Sequence, residues 1–266
     1  MENRIKITWI GHSTFLISYN GINILTDPCF SNFLTPIPSR SVRRLVPLPI
    51  KLKDIQDKID LTLITHKHRD HLEWGTVRKL KKSIFLVPKG LGPNFSRRMI
   101  LNAQEIKLGE SFDFKDLKIE SVPMKHWCLK NMRIDRELCV GWVIYFGNKK
   151  VLFCGDTDYD SFIFKKIRRK FNHFDLAFIP IGGYYSYYFV KLLKKIWKTS
   201  HVSPYQAVQI HKEINSRLSI GMHWGTFNLS KETPSEVLSA LAEAKKLANV
   251  QENKFITLKI GETIII

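Results

Sequence analysis

The sequence predicts an α/β (α+β) protein with four layers, in which two β-sheets pack face to face and helices cover both outer sides. Three observations indicate this fold. Short strand patterns fill the first part of the chain, clear helix starts occur in the last third, and apolar runs that end in polar residues recur throughout. Because 266 residues are enough for one substantial core, we expect a single domain over residues 1–266.

The first strands have the most regular pattern. β-branched and aromatic residues predict strands at residues 5–10, 15–19 and 22–26. Between the last two, Asn20-Gly21 is typical of a tight hairpin turn. Five prolines within residues 28–49 predict an irregular loop.

The rest of the chain mixes strands and helices. A strand at 61–65 and a helix near 74–81 precede a meander of short strands within 84–155. Two later helices have clear starts, because Ser203 and Thr233 are N-cap residues that each precede a proline. Glu236, three residues after Thr233, predicts a capping box. This order of elements fits an αββα sandwich.

The composition limits the class of protein. With 44% hydrophobic residues and 12% aromatic residues, the chain is not of the disordered type. No apolar run approaches the roughly 20 residues of a membrane-spanning helix, and the start of the chain lacks a signal-peptide pattern. The four cysteines form no CxxC pair, which is typical of a reducing compartment. We therefore expect a cytoplasmic protein.

The chain is strongly basic. Forty-two Lys and Arg against 24 Asp and Glu give a net charge of +18. Such a charge favours binding to anionic lipid, nucleic acid or a phosphorylated substrate. The alternative is a lysine-rich surface that is merely solvated, because the charge is spread along the chain.

A cluster of metal-ligand residue types follows the apolar run at 61–64. The octapeptide THKHRDHL at 65–72 contains His66, His68, Asp70 and His71. Imidazole and carboxylate groups together suit zinc and its first-row neighbours. Since Asp70 and His71 are adjacent and must diverge, the spacing favours two neighbouring ions. The alternative is a surface loop that is rich in histidine.

Three more residues of this kind follow apolar runs. Asp156 follows the run at 151–155, and His223 follows the run at 218–222. His126 comes shortly after a third run, at 119–122. When strands of an α/β sheet end at the same edge, the residues that follow them converge. We therefore expect one site.

The complete set of motifs resembles the metallo-β-lactamase-fold hydrolases and, among them, N-acyl-phosphatidylethanolamine-hydrolysing phospholipase D. The similarity runs in order along nearly the full chain. The motifs are WIGHST at 9–14, LTDPCFS at 25–31, THKHRDHL, KHWC at 125–128, FCGDTDY at 153–159, IPIGGYY at 179–185, HVSPYQAVQIH at 201–211, MHWGTF at 222–227 and LKIGET at 258–263.

The resemblance implies a dinuclear metal site with two zinc ions, or manganese or iron in their place. By position, His66, His68 and His126 would bind one ion. Asp70, His71 and His223 would bind the other, and Asp156 would bridge both. The β-lactamases of this fold usually have Cys where Asp156 stands. The carboxylate is more similar to the phosphodiesterase, lactonase and phospholipase branches, so antibiotic hydrolysis is not expected.

The same resemblance implies roles in catalysis and substrate binding. Asp70 would orient the attacking water in addition to binding metal, and Asp156 would fix the spacing of the metals; both are candidate catalytic residues. His201 and Tyr184 would hold the substrate phosphate.

Two further residues are candidate hydrogen-bond partners of the ligands. His12 and Asp27 both follow predicted strands. Metal-bound imidazoles usually donate their second N–H to a carboxylate or carbonyl, which would suit Asp27. Asp27 could equally be a turn residue before Pro28. We expect His173 and His211 to be structural or exposed.

The function that follows is that of a zinc-dependent metallohydrolase, a phosphodiesterase of the phospholipase D type acting on a phospholipid or a related small molecule. One alternative is hydrolysis of a lactone or of RNA by the same fold. Another is a basic membrane- or nucleic-acid-binding protein with structural metals. Structural zinc sites are usually mononuclear and closed, so a ligand set for two ions argues against the second alternative.

Residues 184–200 combine tyrosines, an apolar stripe and four lysines. As a helix, this segment would suit the lipid head-group layer, which predicts peripheral contact with the inner face of the membrane. The alternative is an ordinary amphipathic helix that packs on the core. A nucleic-acid partner is not expected, because no second domain is visible. The sequence leaves a homodimer open.

Overall fold

Seven strands form the first β-sheet of the computed structural model, which describes residues 4–34, 42–130, 133–135, 139–184 and 201–266. Its strands are β1 (Lys6–Gly11), β2 (Thr14–Tyr19), β3 (Ile22–Thr26), β4 (Leu61–Leu63), β5 (Ile84–Pro88), β6 (Ala103–Ile106) and β16 (Thr263–Ile265). The order across the sheet is β16-β1-β2-β3-β4-β5-β6. Strands β3 to β6 are parallel, whereas β16, β1, β2 and β3 pair antiparallel.

The second sheet also has seven strands. They are β7 (Ser111–Phe114), β8 (Leu117–Pro123), β11 (Val140–Phe146), β12 (Lys149–Phe153), β13 (Leu176–Pro180), β14 (Ser219–Met222) and β15 (Phe255–Ile256). Their order is β15-β14-β13-β12-β11-β8-β7, antiparallel from β7 to β12 and parallel from β12 to β15. Strands β9 (Cys128–Lys130) and β10 (Arg133–Asp135) form a separate pair.

Six α-helices occur in the described residues. They are α1 (Leu52–Ile55), α2 (Trp74–Val77), α3 (Gly92–Ser96), α4 (Ser161–Phe171), α5 (Pro204–Glu213) and α6 (Pro234–Leu247). The two helices predicted from their caps are confirmed, with Ser203 and Thr233 as N-caps. Thr233 forms the expected capping box with Glu236, and Ser203 forms a second box with Gln206 that the sequence analysis missed.

The helix predicted near 74–81 is wrong in length. Only Trp74–Val77 is helical, and the Glu73 carboxylate caps it by accepting hydrogen bonds from the N–H groups of Gly75 and Thr76. Gly75, Thr76 and Val77 are weak helix formers, so the apolar periodicity alone does not extend the helix. Helix α3 is a further difference, because it lies within residues 84–155, for which the sequence predicts a meander of short strands.

The main core lies between the two sheets. Aromatic side chains from both sheets meet there, and the ring centroids of Phe15 on β2 and Phe178 on β13 are 4.5 Å apart. Both rings are fully buried. The indole N–H of Trp142 on β11 donates to the carbonyl of Ile64, just after β4, at 3.2 Å. This bond joins the sheets next to the THKHRDHL loop.

Strand direction places all the predicted ligands at one edge of the sandwich. In the first sheet β1, β3 and β4 run the same way, since two antiparallel pairings relate β1 to β3. In the second sheet β8, β12, β13 and β14 likewise run the same way. The loops that contain the predicted metal ligands follow the carboxyl ends of these strands. The fold thus accounts for the convergence that the sequence predicts.

No helix among the described residues has the length and apolarity needed to cross a bilayer. The amphipathic helix predicted within residues 184–200 lies outside the described residues, which include only Tyr184 of this segment.

His211 on α5 is a buried core residue. Its Nδ1 lies 2.8 Å from the hydroxyl oxygen of Ser219 on β14, and only 6% of the residue is exposed. Burial lowers the pKa of His211 to about 4, and the neighbouring lysines add to this effect. The folded protein therefore holds His211 neutral at pH values where an unfolded chain would protonate it.

The pH dependence of folding follows from this difference in pKa. Neutral His211 contributes its full stabilisation above the unfolded pKa of 6.5, and this contribution is lost as the pH falls towards 4. The difference between the two pKa values corresponds to up to about 3 kcal/mol in the free energy of unfolding. We expect His211→Gln to unfold with a shallower loss of stability between pH 7 and pH 4.5 than the wild type. Urea unfolding of both proteins in chelator checks this, and equal losses would contradict it.

Candidate metal centre

Three imidazoles and a carboxylate form the first group of the site. Nε2 of His66 and Nε2 of His126 lie 3.0 and 3.2 Å from Nδ1 of His68. Both Nε2 atoms also approach Oδ2 of Asp156, at 3.6 and 3.7 Å. Four potential ligand atoms therefore face a common point, all within 4.8 Å of one another.

A second group lies on the other side of Asp156. Oδ2 of Asp70 is 3.5 Å from Nε2 of His71 and 3.4 Å from Nε2 of His223. These two imidazoles also approach Asp156, His71 at Oδ2 and His223 at Oδ1, both at 3.2 Å. The Asp156 carboxylate thus lies between the two groups, with both oxygens turned towards imidazoles.

The donor set fits a pair of divalent transition-metal ions. Several buried polar atoms of the described residues make no hydrogen bond, namely both carboxylate oxygens of Asp156, Nε2 of His71 and Nε2 of His223. Leaving such atoms unpaired is costly, and a cation would satisfy them together. Ligands of tetrahedral zinc at about 2.0–2.1 Å from the ion are roughly 3.3–3.4 Å apart, which is close to the separations here.

Asp27 connects the two groups from behind. Its Oδ2 accepts hydrogen bonds from Nδ1 of His71 and from the hydroxyl of Thr65, each at 2.7 Å. Its Oδ1 accepts from the N–H of Thr65 at 2.7 Å. The Thr65 hydroxyl oxygen is in turn 3.0 Å from Nδ1 of His66. One fully buried carboxylate therefore orients an imidazole of each group.

His12 contacts the ligands of the second group. Its Nε2 is 2.9 Å from Oδ2 of Asp70, and its carbonyl accepts a hydrogen bond from the N–H of His223 at 3.2 Å. His12, Asp27 and His223 all have left-handed backbones, with φ of 56°, 33° and 61°. Non-glycine residues seldom adopt this conformation, and such strain is concentrated at functional sites.

Burial keeps several imidazoles neutral. It lowers the pKa of His12 to about 3 and that of His201 to about 4, and it lowers the pKa of His66 well below its ordinary value. At neutral pH these rings carry one proton each and keep a free lone pair. A neutral imidazole is the form that binds metal.

His71 and His223 behave differently. Burial opposes their protonation, but the Asp156 carboxylate outweighs it, raising the pKa of His223 to about 9 and that of His71 well above its ordinary value. Burial likewise opposes ionisation of Asp156, but these imidazoles hold its pKa well below the usual range. A metal ion would have to displace the two imidazole protons, since a ligand imidazole must be neutral.

The two predicted phosphate-binding residues lie beside the cluster. Nδ1 of His201 is 3.8 Å from Oδ2 of Asp156 and makes no hydrogen bond in the described structure. Tyr184 is half-buried and follows Gly183, at the end of the loop after β13. The structure therefore brings all the sequence-predicted site residues to one edge of the sandwich.

Residues of this loop and its surroundings were missed by the sequence analysis. A Cβ atom on Gly183, which has φ +84°, would lie 3.1 Å from the ring of His223 and 3.3 Å from that of His201. The carboxylate of Glu232 accepts hydrogen bonds from the N–H groups of Gly183 and Tyr184. The Gly182-Gly183 pair could have indicated this close approach from the sequence. No local pattern indicates the role of Glu232, which lies 49 residues after Gly183.

A cavity of about 280 Å³ adjoins the second group. His12 and His223 form part of its wall, and Trp224, Phe227 and Leu229 give it apolar surface. A ligand at the cluster could therefore extend into a partly apolar space.

Comparisons with known proteins identify the family of this chain. A family model described as a beta-lactamase superfamily domain matches residues 22–224, a range that contains all seven predicted metal ligands. The chain is 30% identical to N-acyl-phosphatidylethanolamine-hydrolyzing phospholipase D 1 of Caenorhabditis elegans, over 98% of this chain and 76% of the relative.

Solved structures show the same fold. Igni18, a metallo hydrolase from the archaeon Ignicoccus hospitalis, aligns with a TM-score of 0.72 and 21% identity, over 99% of this chain and 98% of Igni18. CmlA, a diiron β-hydroxylase from Streptomyces venezuelae, aligns with a TM-score of 0.76 and 18% identity, over 99% of this chain and 54% of CmlA. The resemblance carried by the sequence motifs is confirmed: the chain belongs to the metallo-β-lactamase superfamily and is a homologue of the N-acyl-phosphatidylethanolamine-hydrolysing phospholipases D.

Proposed function

We propose that the protein is a metal-dependent phosphodiesterase of the phospholipase D type, which hydrolyses the phosphodiester of an N-acylated or related phospholipid. The observation that carries this proposal is the Asp156 carboxylate between two groups of imidazoles, because a shared carboxylate suits a two-metal site. The homology to an enzyme named for this lipid supports the choice of substrate.

The ligands would divide as the sequence predicts. His66, His68 and His126 would hold one ion, while Asp70, His71 and His223 would hold the other, with Asp156 shared. Zinc suits this mixture of imidazole and carboxylate, and manganese or iron are the alternatives. Two such ions, when bound, supply Lewis acidity that activates water and neutralises charge on phosphoryl oxygens.

The side chains would position the reactants. Asp70 is partly accessible, and His12 contacts its Oδ2, which would hold the carboxylate where it orients a water molecule. His201 is neutral and would donate a hydrogen bond to a phosphoryl oxygen, with Tyr184 at the same end of the site. The apolar wall of the adjoining cavity would accept a lipid chain.

The proposal predicts a specific hydrolytic activity. We expect the zinc-loaded protein to release phosphatidic acid from N-acyl-phosphatidylethanolamine in mixed micelles. His68→Ala should reduce the rate by more than about 100-fold, because it removes an imidazole that contacts two other predicted ligands. Chromatographic measurement of both lipid products checks this.

His173→Ala is the matched control, since His173 is half-buried and lies outside the metal-binding groups found among the described residues. It should retain the wild-type rate. A generic phosphodiester, a lactone and RNA would be assayed in parallel. Cleavage of only the lactone or RNA would contradict the phospholipid proposal, and metal-loaded protein with no turnover on any of them would favour a binding protein.

A second prediction concerns Asp27. Asp27→Asn keeps the shape of the side chain but removes the charge and one of the acceptor oxygens that orient His71 and Thr65. We expect the variant to bind zinc about 10–100-fold more weakly than the wild type, as found when partners of ligand imidazoles are replaced. Competition with a chromophoric chelator measures the dissociation constant.

Asp60→Asn is the control for this experiment. Asp60 comes directly before β4, at the end of the strand opposite to the ligand loop. Like that of Asp27, its carboxylate accepts a hydrogen bond from a backbone N–H, that of Asn23. Its replacement should leave zinc affinity unchanged. If folded Asp27→Asn bound zinc as tightly as the wild type, the orienting role would be wrong.

A further inference from the structure

Two large apolar side chains project from the loop between α3 and β6, on the outside of the first sheet. Met99 is 88% exposed and Leu101 is 85% exposed. Single exposed apolar residues are common, but two so close together and so fully exposed form a local feature. We name residues 97–101, together with the neighbouring Arg78, the arginine-rich tip.

The exposure of the tip is fixed by its backbone. The N–H groups of Arg98 and Ile100 both donate to the carbonyl of Phe95, at 2.9 and 3.1 Å. Ile100 packs against the buried cluster beneath, whereas Met99 has a left-handed φ of 58°. The chain thus holds Met99 and Leu101 outwards while Ile100 anchors the segment, at the cost of backbone strain.

Cations surround the apolar side chains. The Arg98 guanidinium lies 4.0 Å from the centre of the Trp74 ring and donates to the carbonyl of Asn94 at 2.9 Å. Arg78 and Arg97 are exposed, and the N–H of Arg78 donates to the carbonyl of Trp74, the residue whose ring Arg98 covers. Burial and the charges of Arg78 and Arg97 lower the pKa of Arg98. Among the described residues, no carboxylate forms an ion pair with any of the three.

The sequence around the tip contains no acid. Residues 74–104 include no Asp or Glu and seven cations: Arg78, Lys79, Lys81, Lys82, Lys89, Arg97 and Arg98. The acids on either side are used by the backbone. Glu73 caps α2, and Glu105 accepts hydrogen bonds from the N–H groups of Gly90 and Gly92. Asp57 pairs with Lys82, but the arginines of the tip keep a strong local positive charge.

We propose that the arginine-rich tip docks the protein on an anionic phospholipid bilayer. Met99 and Leu101 enter the interfacial region, and Arg78, Arg97 and Arg98 contact lipid phosphates. The inference does not rest on the proposed reaction. It concerns a different part of the chain from residues 184–200.

Two other occupants fit the surface less well. A second copy of the chain in a two-fold interface would place the same arginines opposite each other, with like charges in contact. Nucleic acid would pair with the arginines, but the aliphatic Met99 and Leu101 offer no ring on which a base could stack. A bilayer accommodates both the charge and the apolar side chains.

The tip packs against α2, the helix that follows the ligand loop. Trp74, which the Arg98 guanidinium covers, begins α2 only three residues after the predicted ligand His71. The Trp74 ring also contacts Phe95 of α3, with 5.0 Å between ring centroids. The tip and the ligand loop are thus joined through one packed aromatic pair.

The test is sedimentation of the full chain with vesicles of phosphatidylcholine alone or with one quarter phosphatidylglycerol. The wild type should bind the anionic vesicles preferentially, and high salt should weaken the binding. Met99→Ser/Leu101→Ser should weaken the partition coefficient at least about tenfold. Arg78→Gln/Arg97→Gln should weaken it about tenfold and remove much of the preference for anionic lipid.

Matched control variants remove apolar side chains or cations from surfaces outside the tip. Leu238→Ser/Leu247→Ser replaces two exposed leucines of α6, and Lys165→Gln/Lys166→Gln removes two exposed cations of α4. Both should bind like the wild type. All the substituted residues are exposed, and thermal unfolding verifies that each variant is folded.

Three outcomes would overturn the proposal. One is vesicle binding by the tip variants equal to that of the wild type, which would place any membrane contact elsewhere. Another is a change from dimer to monomer caused by Met99→Ser/Leu101→Ser in light scattering, with vesicle binding unchanged. The third is tighter binding of the wild type to a single-stranded RNA homopolymer than to anionic vesicles, lost in the arginine variant.

Discussion

Asp156 is 3% exposed, and neither of its carboxylate oxygens makes a hydrogen bond within the part of the chain that the structure describes, so the surrounding residues must compensate a buried negative charge. His71 and His223 approach it at 3.2 Å from the second group, and His66 approaches from the first. Removing this carboxylate would leave both groups of imidazoles without their common partner. The rest of the site can be understood as the means of holding those imidazoles in place.

The two sheets and their connections provide that support. Asp27, after β3, orients imidazoles of both groups through direct and Thr65-mediated hydrogen bonds. The Trp142 indole crosses from the second sheet to the carbonyl of Ile64, directly before Thr65. Gly155, immediately before Asp156, has φ +63° and lies so close to Thr65 that a Cβ would come within 2.7 Å of its side chain. Backbone and side-chain contacts therefore fix the position of Asp156 relative to the ligand loop.

The site residues that directly follow a strand could be predicted from the sequence. Asp156 and His223 could be found because an apolar run precedes each of them, and parallel strands end at one edge. For Asp27 the sequence left two roles open, and the structure shows features of both: a left-handed φ of 33° and a carboxylate bonded to His71. A residue can terminate a strand and orient a ligand at once, so the two alternatives did not exclude each other.

Other features depend on contacts that no local pattern encodes. Glu232 reaches the N–H of Gly183 only after the loop following β13 and the loop before α6 have come together. Helix α2 is short because it contains weak helix formers, which the spacing of the apolar residues does not reveal. Met99 is exposed because Ile100, its neighbour in the same apolar stretch, is the residue that packs on the core. Such choices are made by tertiary packing.

The proposed site holds two metal ions, with Asp156 shared between them. The most direct measurement is elemental analysis of the protein after equilibration with zinc and removal of the free ion, for the wild type and for Asp156→Asn. We expect two ions per wild-type chain and fewer in the variant, since both groups of ligands contact the carboxylate. One ion or none in the wild type, or two ions retained by Asp156→Asn with full activity, would contradict it.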